Sequence, residues 1–266
     1  MSKVGATLLI ATWLFTLSGY AIIIRHDVAP GDYLLRPNEF PQVFYLEQQG
    51  PRRVCAATLI DSQWALTAAH CIEETSLGET LTNGKEFMVE IANYLHGIDL
   101  VITHPLYLSE LQPEVDLALL RFKSELIAPR PIPINESIRE LGEIVTLIGW
   151  GYFGLGTTGR QYDDGEKRWA RNRITGADQR LRSFFDDPRA SDNSALPLEG
   201  TLGLGDSGGP ALMDTEDGLR IAGIVIGEIE GMEYSEETQG KYGSVAIYER
   251  ISIHAKWINS VINSDN

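Results

Sequence analysis

The chain has 266 residues, 43% hydrophobic and 22% charged, a balance that excludes disordered, collagenous and low-complexity classes. Its 22 basic residues against 37 acidic ones leave a formal charge of −15. That charge excludes the basic surplus of a nucleic-acid-binding domain and favours a surface that repels anionic partners.

Residues 4–24, VGATLLIATWLFTLSGYAIII, carry no charge and follow Lys3. A basic start, an apolar run and small residues at Gly19 and Ala21 predict a secretory signal peptide over residues 1–21, cleaved after Ala21. The same run is long enough to remain uncut and anchor the chain in a bilayer. Either way the remainder is expected outside the cytoplasm, secreted or periplasmic, where a disulfide persists. With the leader cleaved, no stable membrane association is expected.

Short β-type runs follow, separated by Gly, Pro, Asn and Asp. The first set is QVFYLE (42–47), CAATLI (55–60), WALTAA (64–69), FMVEIANYL (87–95) and DLALLRF (116–122). APRPIPI (128–134) reads as an extended linker near the midpoint. The second set is EIVTLIGWG (143–151), GPALMD (209–214), RIAGIVIGEI (220–229) and SVAIYERI (244–251). Many short strands with turn signals between them predict a sandwich or barrels and not alternating βα units. Near the end, Ile253, Trp257, Ile258, Val261 and Ile262 recur at helical spacing and predict one amphipathic helix. Residues 152–182 concentrate Lys167, Arg168, Arg171, Arg173, Arg180 and Arg182 after a Gly-rich start. They read as a solvated loop, with a binding face as the alternative. The acidic stretch 228–240 reads as a long surface loop.

Three strings carry chemistry: TAAHC (67–71), DLALL (116–120) and GDSGGP (205–210). The third is the most specific, because so many glycines in fixed order demand a special backbone path. Taken together, in the order His, Asp, Ser, they resemble the trypsin/chymotrypsin family of serine proteases. IGWG (148–151) and WINSVI (257–262) match further segments of that family. The resemblance implies an all-β fold of two antiparallel six-stranded β-barrels with a C-terminal α-helix. Residues 22–130 would form the first barrel, 131–266 the second, and the active site would lie between them.

The roles that the resemblance implies agree with the residue types. A serine hydroxyl is a weak nucleophile at neutral pH and needs a base within reach, so Ser207 requires His70. Asp116 would hold the imidazole in the useful tautomer and stabilise the imidazolium. The N–H groups of Gly205 and Ser207 would face the developing oxyanion. Cys55 and Cys71 match the family's disulfide beside the base, and the lack of any cysteine near Ser207 resembles bacterial secreted members. The expected partner is a polypeptide substrate, hydrolysed through an acyl-enzyme by a monomer without cofactor or metal. A catalytically silent homologue acting as an extracellular binding module is the alternative.

The sequence departs from the family in two places. Many members begin with a proteolytically exposed IVGG-like terminus whose ammonium meets the aspartate beside the nucleophile. That aspartate is present as Asp206, but no IVGG exists. Cleavage after Ala21 would instead leave Ile22 as the pairing terminus; cleavage after Arg25, giving His26, is less like the family. At the base of the specificity pocket stands Thr201, where trypsin-like members carry an aspartate. Gly227 and Glu228 reshape one wall, with Glu228 offering a charge that Thr201 lacks. Leu202 and Leu204 make the surroundings more apolar, which points to an uncharged side chain before the scissile bond.

Other classes fail on pattern. An α/β-hydrolase esterase needs a GxSxG elbow and the order Ser, acid, His, which this chain lacks. His26, His70, His96, His104 and His254 show no close ligand pairing of the kind a metal enzyme displays.

Overall fold

The computed structural model describes residues 22–107, 114–191, 193–228 and 239–264. The leader expected at 1–21 and nearly all of the acidic stretch 228–240 lie outside the described residues.

The chain enters on β1 (Ile23–Ile24) and then builds a six-stranded antiparallel sheet. Its strands are β2 (Val43–Gln49), β3 (Arg52–Leu59), β4 (Trp64–Thr67), β5 (Phe87–Ile91), β6 (Tyr94–Thr103) and β7 (Ala118–Phe122), in the order β2-β3-β4-β7-β6-β5. Two short helices, α1 (Cys71–Glu74) and α2 (Leu77–Thr82), lie between β4 and β5. In β5, Phe87, Val89 and Ile91 are buried while Met88 and Glu90 face out, the two-residue period of a half-buried strand. The run expected as one strand over 87–95 is a hairpin, because Ala92 and Asn93 both take positive φ and reverse the chain.

The second half begins with β8 (Ile144–Gly149), β9 (Phe153–Leu155) and β10 (Gly159–Tyr162). It continues with β11 (Arg168–Ala177), β12 (Arg180–Phe184), β13 (Gly200–Thr201), β14 (Pro210–Thr215), β15 (Gly218–Glu228) and β16 (Val245–Arg250). Strands β11-β12-β16-β15-β14-β8 close into a barrel, and β10-β9-β1-β13 form a small sheet beside it. The helix α3 (Ile251–Ser264) ends the fold and packs against β15. Its Ile251, Ala255 and Ile258 are buried, whereas Ile253, expected on the apolar face, is 41% exposed. The architecture is therefore all-β with a C-terminal helix, with one barrel closed and one six-stranded sheet nearly so.

The expectation of a solvated loop over 152–182 is overturned: that segment is four strands. In β11, Arg168, Ala170, Asn172 and Ile174 are buried, while Trp169 and Arg171 between them are half-buried and Arg173 is exposed. Arginines at alternating positions hid this strand period behind a loop-like composition. Arg168 is fully buried and pairs with Asp164 at 3.0 Å. Next to it the Lys167 ammonium donates to the carbonyls of Glu39 (3.1 Å), Phe40 (2.6 Å) and Val43 (3.1 Å) and lies 4.8 Å from the Trp150 ring centroid. Burial pushes its pKa down to about 7.

Two apolar cores result. One gathers Phe44, Leu59, Trp64, Leu66, Phe87 and Leu119 of the first sheet, and the other gathers Val145, Leu147, Ile174, Leu181 and Tyr248 of the barrel. Each fully buried Leu, Ile or Phe stabilises by about 1.5–3 kcal/mol relative to exposure. Ile22, Ile24 and Tyr33 belong to the second core although they precede the first sheet in the chain. The 128–134 segment is extended as expected, and is tied to both halves. Ile132 N–H donates to Leu59 O at 3.0 Å, and Ile134 bridges to Ile221.

Candidate active site

Strand β4 ends at Thr67, and two fully buried alanines carry the chain to His70 at the mouth of α1. Cys71, the next residue, is joined to Cys55 on β3 by a disulfide, so the histidine is held between a strand end and a cross-link. Closing that loop stabilises by about 3 kcal/mol in the chain-entropy picture. The ligand atoms of Cys55, His70 and Cys71 lie within 4.8 Å of one another, but both sulfurs are committed to the disulfide and offer no thiolate to a metal.

Asp116 precedes β7 and is buried, with a side chain 7% exposed. Its Oδ2 lies 2.5 Å from His70 Nδ1, and its Oδ1 accepts the His70 backbone N–H at 2.9 Å. Both carboxylate oxygens thus engage one residue, which fixes ring and main chain together. Burial opposes a charged imidazole here. The Asp116 hydrogen bond and charge, with Glu74 and Glu73 nearby, outweigh it and hold the His70 pKa above its ordinary value.

Ser207 sits in the turn between β13 and β14, pinned from two sides. Its carbonyl accepts Ala56 N–H of β3 at 2.7 Å, while the next N–H, from Gly208, donates to Val225 of β15 at 2.8 Å. Gly208 has φ +78°, and a Cβ there would lie 2.2 Å from Ala56 O and 2.3 Å from Thr67 Oγ1, so glycine is required. The serine is thereby held against the strand pair β3–β4 that also delivers His70. Gly205 has φ +104°. The N–H groups of Gly205 and Ser207 meet no hydrogen-bond acceptor among the described residues.

Asp206 is buried, and its carboxylate accepts N–H bonds from Gly151 and Gly203, both at 2.7 Å. Burial raises its pKa to about 6, against those two bonds that lower it. A Cβ on Gly149 would lie 1.9 Å from Asp206 Oδ1. The glycines of IGWG are therefore the cradle of this carboxylate, a role the sequence reading did not assign. Ile22 is buried with φ +59°, and Ile23 beside it pairs with Thr201 on β13 and Gly154 on β9. In the continuous chain Ile22 and Asp206 share no hydrogen bond among the described residues; Ile23 pairs with Thr201, and Gly203, two residues further on, donates to Asp206.

Thr201 is fully buried and its Oγ1 has no hydrogen-bond partner among the described residues. Leu202 is buried, while Leu204 is 36% exposed. Gly227 has φ +148°, and Glu228 accepts the Gly240 N–H at 3.1 Å; burial pushes the Glu228 pKa up to about 7. The carboxyl is thus engaged at the strand end, and its burial disfavours the charged form.

One member of the site escaped the sequence reading. Glu249 on β16 is 1% exposed and accepts the Asp116 backbone N–H at 3.0 Å. The same oxygen accepts Arg180 Nε at 3.0 Å, and the other lies 3.5 Å from His254 Nε2 on α3. The His254 ring meets His104 edge-on at 4.9 Å. No sequence signal marks Glu249, whose partner stands 133 positions away.

A family model described as Trypsin matches residues 31–258. Vitamin K-dependent protein C of Oryctolagus cuniculus is 28% identical over 260 residues, covering 86% of this chain and 51% of that protein. Phenoloxidase-activating factor 3 of Holotrichia diomphalia is 25% identical over 249 residues, covering 83% and 68%. An uncharacterized peptidase of Corynebacterium glutamicum (strain R) is 24% identical over 209 residues, covering 77% and 62%. The chain spans about half the length of the first curated relatives it matches. A solved structure of neuropsin, described as a serine protease expressed in the limbic system of mouse brain, superposes with a TM-score of 0.63. It is 19% identical and covers 86% of this chain and 98% of its own, a likeness of fold. No helix among the described residues is long and apolar enough to cross a membrane.

Proposed function

Because the chain belongs to the trypsin family of serine proteases, we propose that it is an exported serine endopeptidase acting through Ser207, His70 and Asp116. The observation that carries this reading is the double contact of Asp116 with His70, 2.5 Å to the ring and 2.9 Å to the main chain.

In the proposed reaction the Ser207 hydroxyl attacks the scissile carbonyl carbon while His70 Nε2 takes its proton. Asp116 keeps the other ring proton on Nδ1 and stabilises the imidazolium. The carbonyl oxygen gains the negative charge and is met by the N–H groups of Gly205 and Ser207. One such donor is worth about 3–4 kcal/mol in the barrier. His70 then returns the proton to the leaving amine as the C–N bond breaks, leaving an acyl-enzyme on Ser207. Water, deprotonated by the same imidazole, hydrolyses that ester.

Ile22 and Asp206 are proposed as the activation pair. A peptide bond before Ile22 forces this β-branched residue to φ +59°, a region it rarely adopts. Cutting that bond removes the constraint and creates an ammonium to meet a buried carboxylate that has no ion pair among the described residues. Thr201, with Gly227 and Glu228, is proposed to line the pocket for an uncharged side chain before the scissile bond. The Cys55–Cys71 disulfide supports residence outside the cytoplasm.

Labelling with a fluorophosphonate tests the central claim. The intact protein takes up one label and the Ser207→Ala variant takes up none. Absence of Ser207-dependent labelling across pH 6–9 would instead favour a catalytically silent binding module.

A further inference from the structure

On the β3 side of Ser207 lies a cationic ledge that the reaction itself does not use. Arg52 and Arg53 open β3, and the Arg53 guanidinium lies 4.7 Å from the Tyr45 ring centroid. Arg52 and Arg160 both lie over Tyr152, at 5.9 and 5.3 Å. Tyr152 N–H in turn donates to Leu204 O at 2.8 Å, one residue before Gly205. A Cβ on Gly205 would come within 3.0 Å of Arg53 O, so the ledge abuts the oxyanion glycine.

In a chain of net charge −15, Arg52 and Arg53 stand here as two adjacent positive charges. Neither Arg52 nor Arg53 forms an ion pair among the described residues, and the Nε of each is buried without a partner. Arg53 Nη1 makes a long 3.4 Å contact to Pro51 O. Asp163 feels both charges without pairing with either. Stacking on tyrosine fixes a guanidinium plane and leaves its N–H edge free for a carboxylate, a bidentate match that lysine does not offer.

The hydrogen bonds of the serine turn decide which half of a substrate meets this ledge. Gly208 is bonded to Val225 of β15, the strand whose Gly227 and Glu228 are proposed above to hold the side chain before the scissile bond, whereas Ser207 O is bonded to Ala56 of β3. The ledge therefore lies on the leaving-group side. Arg53 is three residues from Ala56, about 10 Å of strand, which matches two or three residues of extended peptide.

We propose that Arg52 and Arg53 form a binding site for an acidic side chain two or three residues after the scissile bond. Polypeptides carrying Asp or Glu there are the favoured substrates; this rests on the serine endopeptidase reading above.

The test uses peptide pairs with one common, cleavable acyl half that differ only by Asp or Asn at the second or third leaving-side residue. Wild-type protein is expected to cleave the Asp peptide with a kcat/KM about tenfold higher, the scale of a charge-assisted hydrogen bond. The preference should shrink as NaCl rises from about 0.05 to about 0.5 M. It should collapse toward unity in Arg52→Gln/Arg53→Gln and fall partway in each single variant. Equal cleavage of both peptides by the wild type, or a preference untouched by salt and by the substitutions, overturns the proposal. Failure of the wild type to cleave any peptide or take the fluorophosphonate label strikes the endopeptidase reading instead.

Discussion

Glu249 offers the sharpest test of how the two halves of the molecule build one site. Replacing it with alanine leaves the Asp116 N–H without its acceptor, at a cost of about 1–3 kcal/mol for a buried donor. Arg180 also loses this contact, but its side chain is 30% exposed, so water screens it and that loss adds about 1 kcal/mol or less. The sum, about 3 kcal/mol, corresponds to a fall in Tm of about 6–12 °C for a domain of this size. Glu249→Gln retains an oxygen at the same place and should lose only about 1 kcal/mol, because the bond to Asp116 survives without its charge. Once Asp116 is free to drift from His70, kcat in the alanine variant should drop about tenfold, a loss of about 1.4 kcal/mol in the barrier, with KM little changed. Thermal melts and steady-state kinetics on wild type, Glu249→Ala and Glu249→Gln decide the matter. An alanine variant as stable and active as wild type, or a glutamine variant as impaired as alanine, would refute the positioning role.

Asp206 predicts a pH signature that depends on the terminus. With the chain continuous through Ile22, its folded pKa of about 6 exceeds the ordinary 3.8. Its contribution, about 3 kcal/mol, is then fully present below pH ~4 and lost as pH rises through about 6. A chain beginning at Ile22 supplies an ammonium and abolishes that loss, so urea midpoints of the two chains should diverge between pH 4 and 7; parallel curves would sink the pairing. The double substitution Cys55→Ser/Cys71→Ser, or reduction of the disulfide, should cost about 3 kcal/mol, and a denaturation midpoint insensitive to reductant would argue against it. Thr201→Asp should bring Lys and Arg forward in a peptide-library cleavage profile. A wild type that already demands Lys or Arg would contradict the neutral-pocket reading.

The parts of this molecule that obey short-range rules were readable in advance. GDSGGP demanded a special backbone, and the structure supplies the reason at Gly208, where Ala56 O leaves no room for a Cβ. Strands such as β5 announce themselves by a two-residue period. What escaped was decided by distant partners. Arg168 looked like a loop residue because, although its partner Asp164 stands only four positions away, the burial of that pair is decided by remote segments such as the one at Leu34 that bridges to it. Glu249 carries no motif, and its meaning comes from Asp116, 133 positions away just before β7 of the other sheet. The turn at Ala92 and Asn93 lacked the glycine that would have divided the 87–95 run.

Lys167 has a consequence for how the two halves move. Three carbonyls from the 39–43 turn converge on one ammonium, which has three protons to give, so the position behaves as a coordination cage whose ion is covalently tethered to β11. Arginine carries the same charge in a planar fork and cannot fill three converging lone pairs; a shorter cation cannot reach them. The turn leading into the first sheet is thus latched to the barrel at a fixed separation. Relative rotation of the halves would have to break all three bonds, along with the Ala56–Ser207 and Asp116–Glu249 bonds that also join them.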